Sequence, residues 1–294
     1  MTSIHATIIE TYSQRMRLRL EDDTEVDARI KGKRLRPVCG DRVAVERIDN
    51  EDDWLITAIH DRRNALTRPN MRGDTEVLAA NVDQLVVTAA SQPAPDWYVV
   101  DRYICAAEAM DVDAVVVFNK TDIGSAAAAI RVYSELGYTV LEASAKHGNH
   151  LDQLAEALTD RVSLIVGQSG VGKSTLINAL MGTEKQKTAS ISDKHREGRH
   201  TTVNSVMLDL PRGGKIIDSP GVRDFAPALE SVEAVTRGFR EIERLRQNCK
   251  FANCRHMEEP GCAVKTGLDN DELDGRRYES YRRLLRLTES LTSR

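Results

Sequence analysis

One eight-residue segment limits the possible folds of this 294-residue chain more than any other part of it. The segment matches G-x-x-x-x-G-K-[ST], follows an apolar run at 163–166 and precedes a helical pattern at 173–180. A glycine-rich turn between a strand and a helix lets backbone N–H groups surround phosphate oxygens. These flanking elements argue against a chance glycine-rich turn. The predicted phosphate-binding residues are Gly167, Gln168, Ser169, Gly170, Val171, Gly172, Lys173, Ser174 and Thr175.

Two short strings at the ends of predicted strands indicate the base of the ligand. The string N-K-T-D follows the strand at 114–118 and resembles the guanine-specificity motif of GTPases. Its Asp122 carboxylate can accept hydrogen bonds from the N1–H and N2–H₂ edge of guanine, which adenine lacks. The string S-A-K follows the strand at 139–143 and resembles a motif whose backbone N–H reaches guanine O6. Each string alone could be an ordinary loop, but with the phosphate motif they predict GTP. The predicted base-binding residues are Asn119, Lys120, Thr121, Asp122, Ser144, Ala145 and Lys146.

A third motif, D-S-P-G, follows the predicted strand at 215–217 and points to Mg²⁺. Asp218 is expected to hold the ion and the N–H of Gly221 to sense the γ-phosphate. The polar segment 183–202 before this motif is predicted to be the first switch, a loop that the γ-phosphate orders. The alternative is an ordinary surface loop. Either Thr201 or Thr202 could bind Mg²⁺ there, and we favour Thr202. The predicted Mg²⁺ ligands are Ser174, Thr202 and Asp218.

The order of these motifs differs from that of ordinary GTPases, which begin with the phosphate loop. Here the base motifs precede the phosphate loop, and this order indicates a circular permutation. A fold tolerates such a change, since the contacts within its sheet are kept when the original chain ends are joined and an exposed loop is cut. Apolar strands alternate with helical stretches, which predicts a mainly parallel sheet. The predicted strands are 84–89, 114–119, 139–143, 163–167, 203–210 and 215–218, and the predicted helices are 96–110, 126–136, 151–158, 173–180, 231–246 and 271–291.

Four segments are expected along the chain. Five short alternating runs within residues 1–65 predict an OB-type β-barrel, and residues 66–81 lack periodicity and are predicted to be a linker. An α/β P-loop GTPase domain, circularly permuted, is expected over 82–222. A C-terminal helical zinc-binding domain is expected over 223–294.

Cysteine usage predicts a metal site rather than disulfides. Three of the five cysteines lie with one histidine inside fourteen positions, between two helical stretches. Three thiolates and an imidazole form a tetrahedral set suited to one structural Zn²⁺, and free or buried thiols are the alternative. The predicted ligands are Cys249, Cys254, His256 and Cys262, whereas Cys39 and Cys105 are expected in the core.

Composition excludes a polycationic nucleic-acid binder, because 41 Lys and Arg residues stand against 45 Asp and Glu residues. RNA contacts are therefore expected from local patches. On the barrel the predicted patch is Lys31, Lys33, Arg34 and Arg36, for which a solvated face is the alternative. No apolar run approaches the ~20 residues that span a bilayer, and no signal sequence is evident, so a cytoplasmic location is expected.

The barrel pattern, the permuted order and the cysteine cluster together resemble the bacterial ribosome small-subunit-dependent GTPase A family over nearly the whole chain. The resemblance implies GTP hydrolysis to GDP and phosphate, stimulated by the small (30S) ribosomal subunit and its rRNA, and a role in late maturation of that subunit. It also implies an OB-fold barrel and a zinc-binding C-terminal domain. We expect a monomer with no membrane partner. The alternative is a nucleotide-gated RNA-binding scaffold with incidental hydrolysis, whereas a P-loop kinase is disfavoured by the base motifs.

Val222 stands where many GTPases carry a glutamine that orients the attacking water. Valine cannot orient water, so slow intrinsic hydrolysis is expected, with another group or the ribosome supplying that positioning. His200 lies beside the switch threonines and is the candidate, with a solvated loop histidine as the alternative. The predicted catalytic residues are Lys173, His200 and Thr202.

Overall fold

The computed structural model describes residues 4–12, 15–32, 34–48, 51, 53–69, 75–182, 205–219, 229 and 231–292. Within these ranges, none of the helices combines the length and the apolar character needed to cross a bilayer. The predicted residues Lys33, His200, Thr201, Thr202, Gly221 and Val222 lie outside the described residues.

The N-terminal segment is a closed five-stranded barrel. Its strands run in the order β1-β2-β3-β5-β4, and the antiparallel pairing of β1 with β4 closes it. Alternate side chains point inward, so that Ile8, Leu18, Val43 and Ile56 are fully buried. The predicted OB-type barrel is therefore confirmed. The strands are β1 (Ile4–Thr11), β2 (Arg15–Leu20), β3 (Glu25–Ile30), β4 (Arg42–Arg47) and β5 (Trp54–Ile59).

The central domain is an α/β sheet with strand order β10-β9-β8-β11-β13-β12. Its strands pair in parallel as far as β13, while β12 is antiparallel. Both faces are covered, so β8 is buried at every position. The strands are β8 (Gln84–Ala90), β9 (Asp113–Asn119), β10 (Thr139–Glu142), β11 (Val162–Val166), β12 (Ser205–Asp209) and β13 (Lys215–Asp218); the helices are α1 (Trp97–Ala109), α2 (Ala127–Glu135), α3 (Leu151–Ala157) and α4 (Lys173–Leu180).

The segment predicted to be a linker contains regular structure instead. Strands β6 (Ala65–Pro69) and β7 (Thr75–Ala80) form an antiparallel two-stranded sheet. Leu66 and Ala79 of this pair are buried in the core shared with the GTPase domain. The expectation of an irregular linker was wrong because tertiary burial stabilises strands whose own sequence shows no alternation.

The barrel and the GTPase domain share one continuous sheet, which the sequence analysis did not foresee. Strand β1 pairs antiparallel with β12 at Glu10–Val206 and Thr11–Ser205. Arg19 on β2 forms a two-pronged ion pair with Asp209 on β12, at 2.9 and 2.6 Å. The barrel is thus attached through the edge strand of the GTPase sheet.

The carboxylate of Asp209 makes this junction sensitive to acid. Hydrogen bonds from Arg19 and Lys215 lower the pKa of Asp209 to about 2 from an ordinary 3.8. The stabilisation is complete above pH 3.8 and is lost as the pH falls through about 2, because protonation removes the ion pair.

We expect Asp209→Asn to lower the free energy of unfolding by about 0.5–1 kcal/mol at neutral pH, since this carboxylate is half exposed. The difference from wild type should shrink as the pH falls below 3.8. Urea unfolding at several pH values measures it. A difference that does not vary with pH would assign the cost to packing.

The C-terminal region is helical and packs against α1. Its helices are α5 (Val232–Arg237), α6 (Arg240–Arg246), α7 (Ala263–Asp269) and α8 (Gly275–Thr292). The single helix predicted over 231–246 is interrupted at Phe239, which adopts an extended backbone, and Gly238 before it lies so close to the Cys105 side chain that a Cβ would not fit. Helix α8 begins four residues later than predicted, and α7 was not predicted at all.

A buried ionic group holds this region to the GTPase domain. Arg277 of α8 is fully buried and bonds Asp101 of α1 at 2.9 Å and Glu241 of α6 at 2.7 Å. Tyr133 of α2 donates its hydroxyl to the same Asp101 oxygen at 2.7 Å. Four helices therefore meet at one guanidinium group.

We expect Arg277→Ala to lower the free energy of unfolding by about 3–5 kcal/mol, because two carboxylates would remain buried without their cation. Arg282→Ala is the matched control, since Arg282 lies on the same helix but is partly exposed and pairs only locally with Glu279. Its cost should stay below about 1 kcal/mol. Equal costs in denaturant titrations would contradict a central role for the buried group.

Candidate nucleotide site and metal cluster

The phosphate loop runs from the end of β11 into α4, as the sequence predicts. The Nζ of Lys173 lies 2.7 Å from Gly167 O and 2.8 Å from Gln168 O, so the buried cation is held inside the loop. Ser174 and Thr175 follow in the first turn of α4. The N–H groups at the N-terminus of a helix point out along its axis, so those of this turn are directed at the loop and can bind an anion.

Two glycines of the loop are required by close backbone approach. Gly167 has φ 136°, and a Cβ there would collide with the carbonyl oxygen of Thr88. Gly172 has φ 93° at the N-cap of α4, and a Cβ there would lie 2.5 Å from the Asn119 amide nitrogen. Both positions therefore exclude side chains.

Asn119 connects all three predicted nucleotide-binding loops. Its Nδ2 donates to Val171 O of the phosphate loop at 3.0 Å, and its Oδ1 accepts from Ala145 N of S-A-K at 3.1 Å. Asn119 is almost fully buried at the end of β9. One side chain thus fixes the distance between the base loops and the phosphate loop.

Lys120 joins a fourth loop to this group. Its Nζ donates to Gly170 O and to Gln92 O, both at 2.7 Å, and Ser91 Oγ donates to Lys120 O at 3.2 Å. The loop after β8 therefore lies against both nucleotide motifs. Sequence analysis missed Ser91 and Gln92, and Gln92 contributes only a backbone oxygen, which no side-chain pattern reveals.

Asp122 is oriented by the S-A-K motif. Ser144 Oγ donates to Asp122 Oδ1 at 2.6 Å, and this hydrogen bond lowers the pKa of Asp122. The imidazole of His147 lies 3.6 Å from Oδ2. The carboxylate is therefore ionised at neutral pH and can accept N–H donors. Lys146 is exposed beside it, and Thr121 N donates to Ala143 O.

Asp218 lies at the same edge of the sheet as the phosphate loop. It ends β13, where it pairs with Ile165 of β11 on one side and with Val206 of β12 on the other. The next residue, Ser219, is buried, and its hydroxyl lies 2.8 Å from that of Ser205. The sequence analysis did not predict this pair of serines.

The predicted metal ligands of the C-terminal region converge. The ligand atoms of Cys249, Cys254, His256 and Cys262 all lie within 4.8 Å of one another. His256 Nδ1 is 3.5 Å from the sulfurs of Cys249 and Cys262, which are themselves 4.0 Å apart. Around a tetrahedral zinc ion, a ligand nitrogen and a ligand sulfur would lie about 3.6 Å apart, and two ligand sulfurs would lie about 3.8 Å apart. The cluster could therefore hold one metal ion.

The backbone around the cluster is held by its neighbours. The Glu259 carboxylate accepts from the N–H groups of Arg255, Met257 and Glu258 at 2.8–3.0 Å. Tyr278 of α8 donates its hydroxyl to His256 O at 2.6 Å. Burial lowers the pKa of His256, which keeps its imidazole neutral and able to bind a metal.

The family model of the RsgA GTPase matches residues 59–227, more than half of the chain. The chain belongs to the RsgA GTPase family. A relative from Ectopseudomonas mendocina (strain ymp), the small ribosomal subunit biogenesis GTPase RsgA, is 39% identical over 254 residues, which cover 84% of this chain and 74% of the relative. The sequence motifs had indicated the ribosome small-subunit-dependent GTPase A family, which is the RsgA family, and this prediction is thus confirmed.

Solved structures agree with the RsgA GTPase assignment. The crystal structure of YjeQ from Thermotoga maritima matches with a TM-score of 0.75 at 26% identity and covers 98% of this chain and 99% of that one. YloQ, described as a circularly permuted GTPase, matches with a TM-score of 0.71 at 23% identity. The match covers 98% of this chain and 96% of the YloQ chain. As an RsgA GTPase, the protein is a GTP hydrolase with a circularly permuted fold.

Proposed function

We propose that this GTPase hydrolyses GTP on the small (30S) ribosomal subunit, which stimulates it, and that it acts in late maturation of that subunit. The observation that carries the proposal is the link through Asn119, which joins a guanine-reading loop to a phosphate loop. The ribosomal part rests on relatives named for small-subunit biogenesis. We propose a monomer that works in the cytoplasm, where subunits are assembled.

In this proposal the phosphate loop binds the triphosphate and Lys173 neutralises the β- and γ-phosphates. Ser174, Thr202 and Asp218 would hold Mg²⁺, which when bound screens the charge of the phosphates. The N–H of Gly221 senses the γ-phosphate. Asp122 and the S-A-K loop select guanine. His200 positions the attacking water, because Val222 cannot.

We further propose that the four-residue cluster binds structural Zn²⁺ and that exposed basic residues on the barrel contact rRNA. Three thiolates and one neutral imidazole leave no position open for catalysis. On the barrel, Lys31, Arg34 and Arg36 are exposed between β3 and β4. Lys33 belongs to the same proposed patch.

GTP turnover with and without purified 30S subunits tests the proposal. We expect slow turnover alone and an increase of orders of magnitude with 30S subunits, as for GTPases whose positioning group comes from a partner. Large subunits and ATP are the controls and should give no increase. Turnover that 30S subunits leave unchanged would favour the RNA-binding scaffold, and a preference for ATP would refute the guanine site.

A further inference from the structure

The edge strand β12 connects the end of β13 to the barrel. Val206 of β12 lies between Asp218 on one side and Glu10 of the barrel on the other, in continuous antiparallel pairing. Ser205, the preceding residue, pairs with Thr11 through its backbone. Through two adjacent residues, the strand therefore pairs with the backbone of Asp218, the proposed Mg²⁺ ligand, and with the barrel.

The side chain of Ser205 adds a second connection. Its hydroxyl lies 2.8 Å from that of Ser219, and both residues are buried, with 6% and 4% exposure. Ser219 directly follows Asp218, so this bond fixes the backbone on which the carboxylate stands. A buried hydroxyl requires a hydrogen-bond partner, and loss of the Ser205 hydroxyl removes from Ser219 the one that lies 2.8 Å away.

We infer that Ser205 is a positioning residue for GTP hydrolysis. It holds Asp218 in position and couples this position to strand β1 of the barrel. The inference rests on the proposed role of Asp218 as a Mg²⁺ ligand. In this inference Ser205 acts through Ser219 and the backbone, and not as a ligand of the nucleotide or the metal. Groups that orient a metal ligand from behind commonly change metal affinity by about 10–100-fold when removed.

The first test compares the Mg²⁺ concentration for half-maximal GTP hydrolysis in three variants. Ser205→Ala should raise it about tenfold, whereas Ser205→Thr, which keeps the hydroxyl, should stay close to wild type. Ser163→Ala is the matched control, because Ser163 is a buried strand serine that accepts from Gln84 at 2.9 Å. Ser163 lies at the opposite end of the sheet from the phosphate loop. GDP binding in EDTA should match wild type in all three, which verifies folding.

The second test measures hydrogen exchange in β1 with and without GTP and Mg²⁺. Nucleotide should slow exchange of the β1 amides in wild type and in Ser163→Ala, and this protection should be reduced in Ser205→Ala. A normal Mg²⁺ requirement in Ser205→Ala, or an equal shift in Ser163→Ala, would overturn the inference alone. A wild-type protein without Mg²⁺-dependent GTP hydrolysis would overturn the proposed function and the inference with it.

Discussion

Asp122→Asn should weaken GTP binding at least about a hundredfold and allow xanthosine triphosphate to bind instead. The carboxylate offers two acceptor oxygens, and Ser144 orients it by donating to Oδ1 at 2.6 Å. The asparagine amide replaces one acceptor with a donor that faces the N2–H₂ of guanine. The loss of a charge-assisted hydrogen bond and the creation of opposed donors cost about 3 kcal/mol together.

Xanthine carries a carbonyl at C2 where guanine carries the amine, so the new amide N–H gains an acceptor. Competition of GTP and xanthosine triphosphate against a fluorescent guanine nucleotide measures both affinities. Asp113→Asn is the control, because Asp113 is an exposed aspartate at the start of β9, whereas Asp122 lies in the loop that follows the end of this strand. Retained GTP affinity in Asp122→Asn would show that another group reads the base.

The convergence of the predicted nucleotide motifs could be foreseen from the sequence because each motif is local. The phosphate loop and its flanking strand and helix form one continuous stretch, from Val162 to Leu180. Each base motif likewise stands at the end of its own strand, and parallel strands bring their carboxyl ends to one edge. Adjacent Asn119 and Lys120 then make the contacts that unite these loops.

The features that sequence analysis missed depend on distant partners. The requirement for a glycine at position 238 is set by the side chain of Cys105, which is remote in sequence. Ser205 and Ser219 meet because β12 and β13 are paired, and nothing in either residue's surroundings marks it. The pairing of β1 with β12 likewise joins two edges that each look ordinary in sequence. Such contacts follow from topology and not from periodicity.

Removal of the proposed zinc should unfold the segment around residues 249–262 while leaving nucleotide binding intact. The segment has little apolar core of its own, and structural zinc typically supplies about 10–16 kcal/mol of folding free energy in short metal-binding modules. We expect Cys254→Ala to lose one equivalent of zinc and to expose this segment to proteolysis. The helices beyond it remain attached through Arg277, Asp101 and Glu241.

Cys105→Ala separates metal binding from simple loss of a thiol. Cys105 is fully buried against α5, with its sulfur 3.7 Å from Val235 O, and lies outside the cluster. Its replacement should cost packing energy of about 1–2 kcal/mol but keep the zinc. Elemental analysis gives the zinc content, limited proteolysis reports the segment, and GDP titration reports the nucleotide site. If both variants retained zinc, Cys254 would be no ligand, and if Cys254→Ala also lost GDP binding, the metal would support the GTPase domain as well as its own segment.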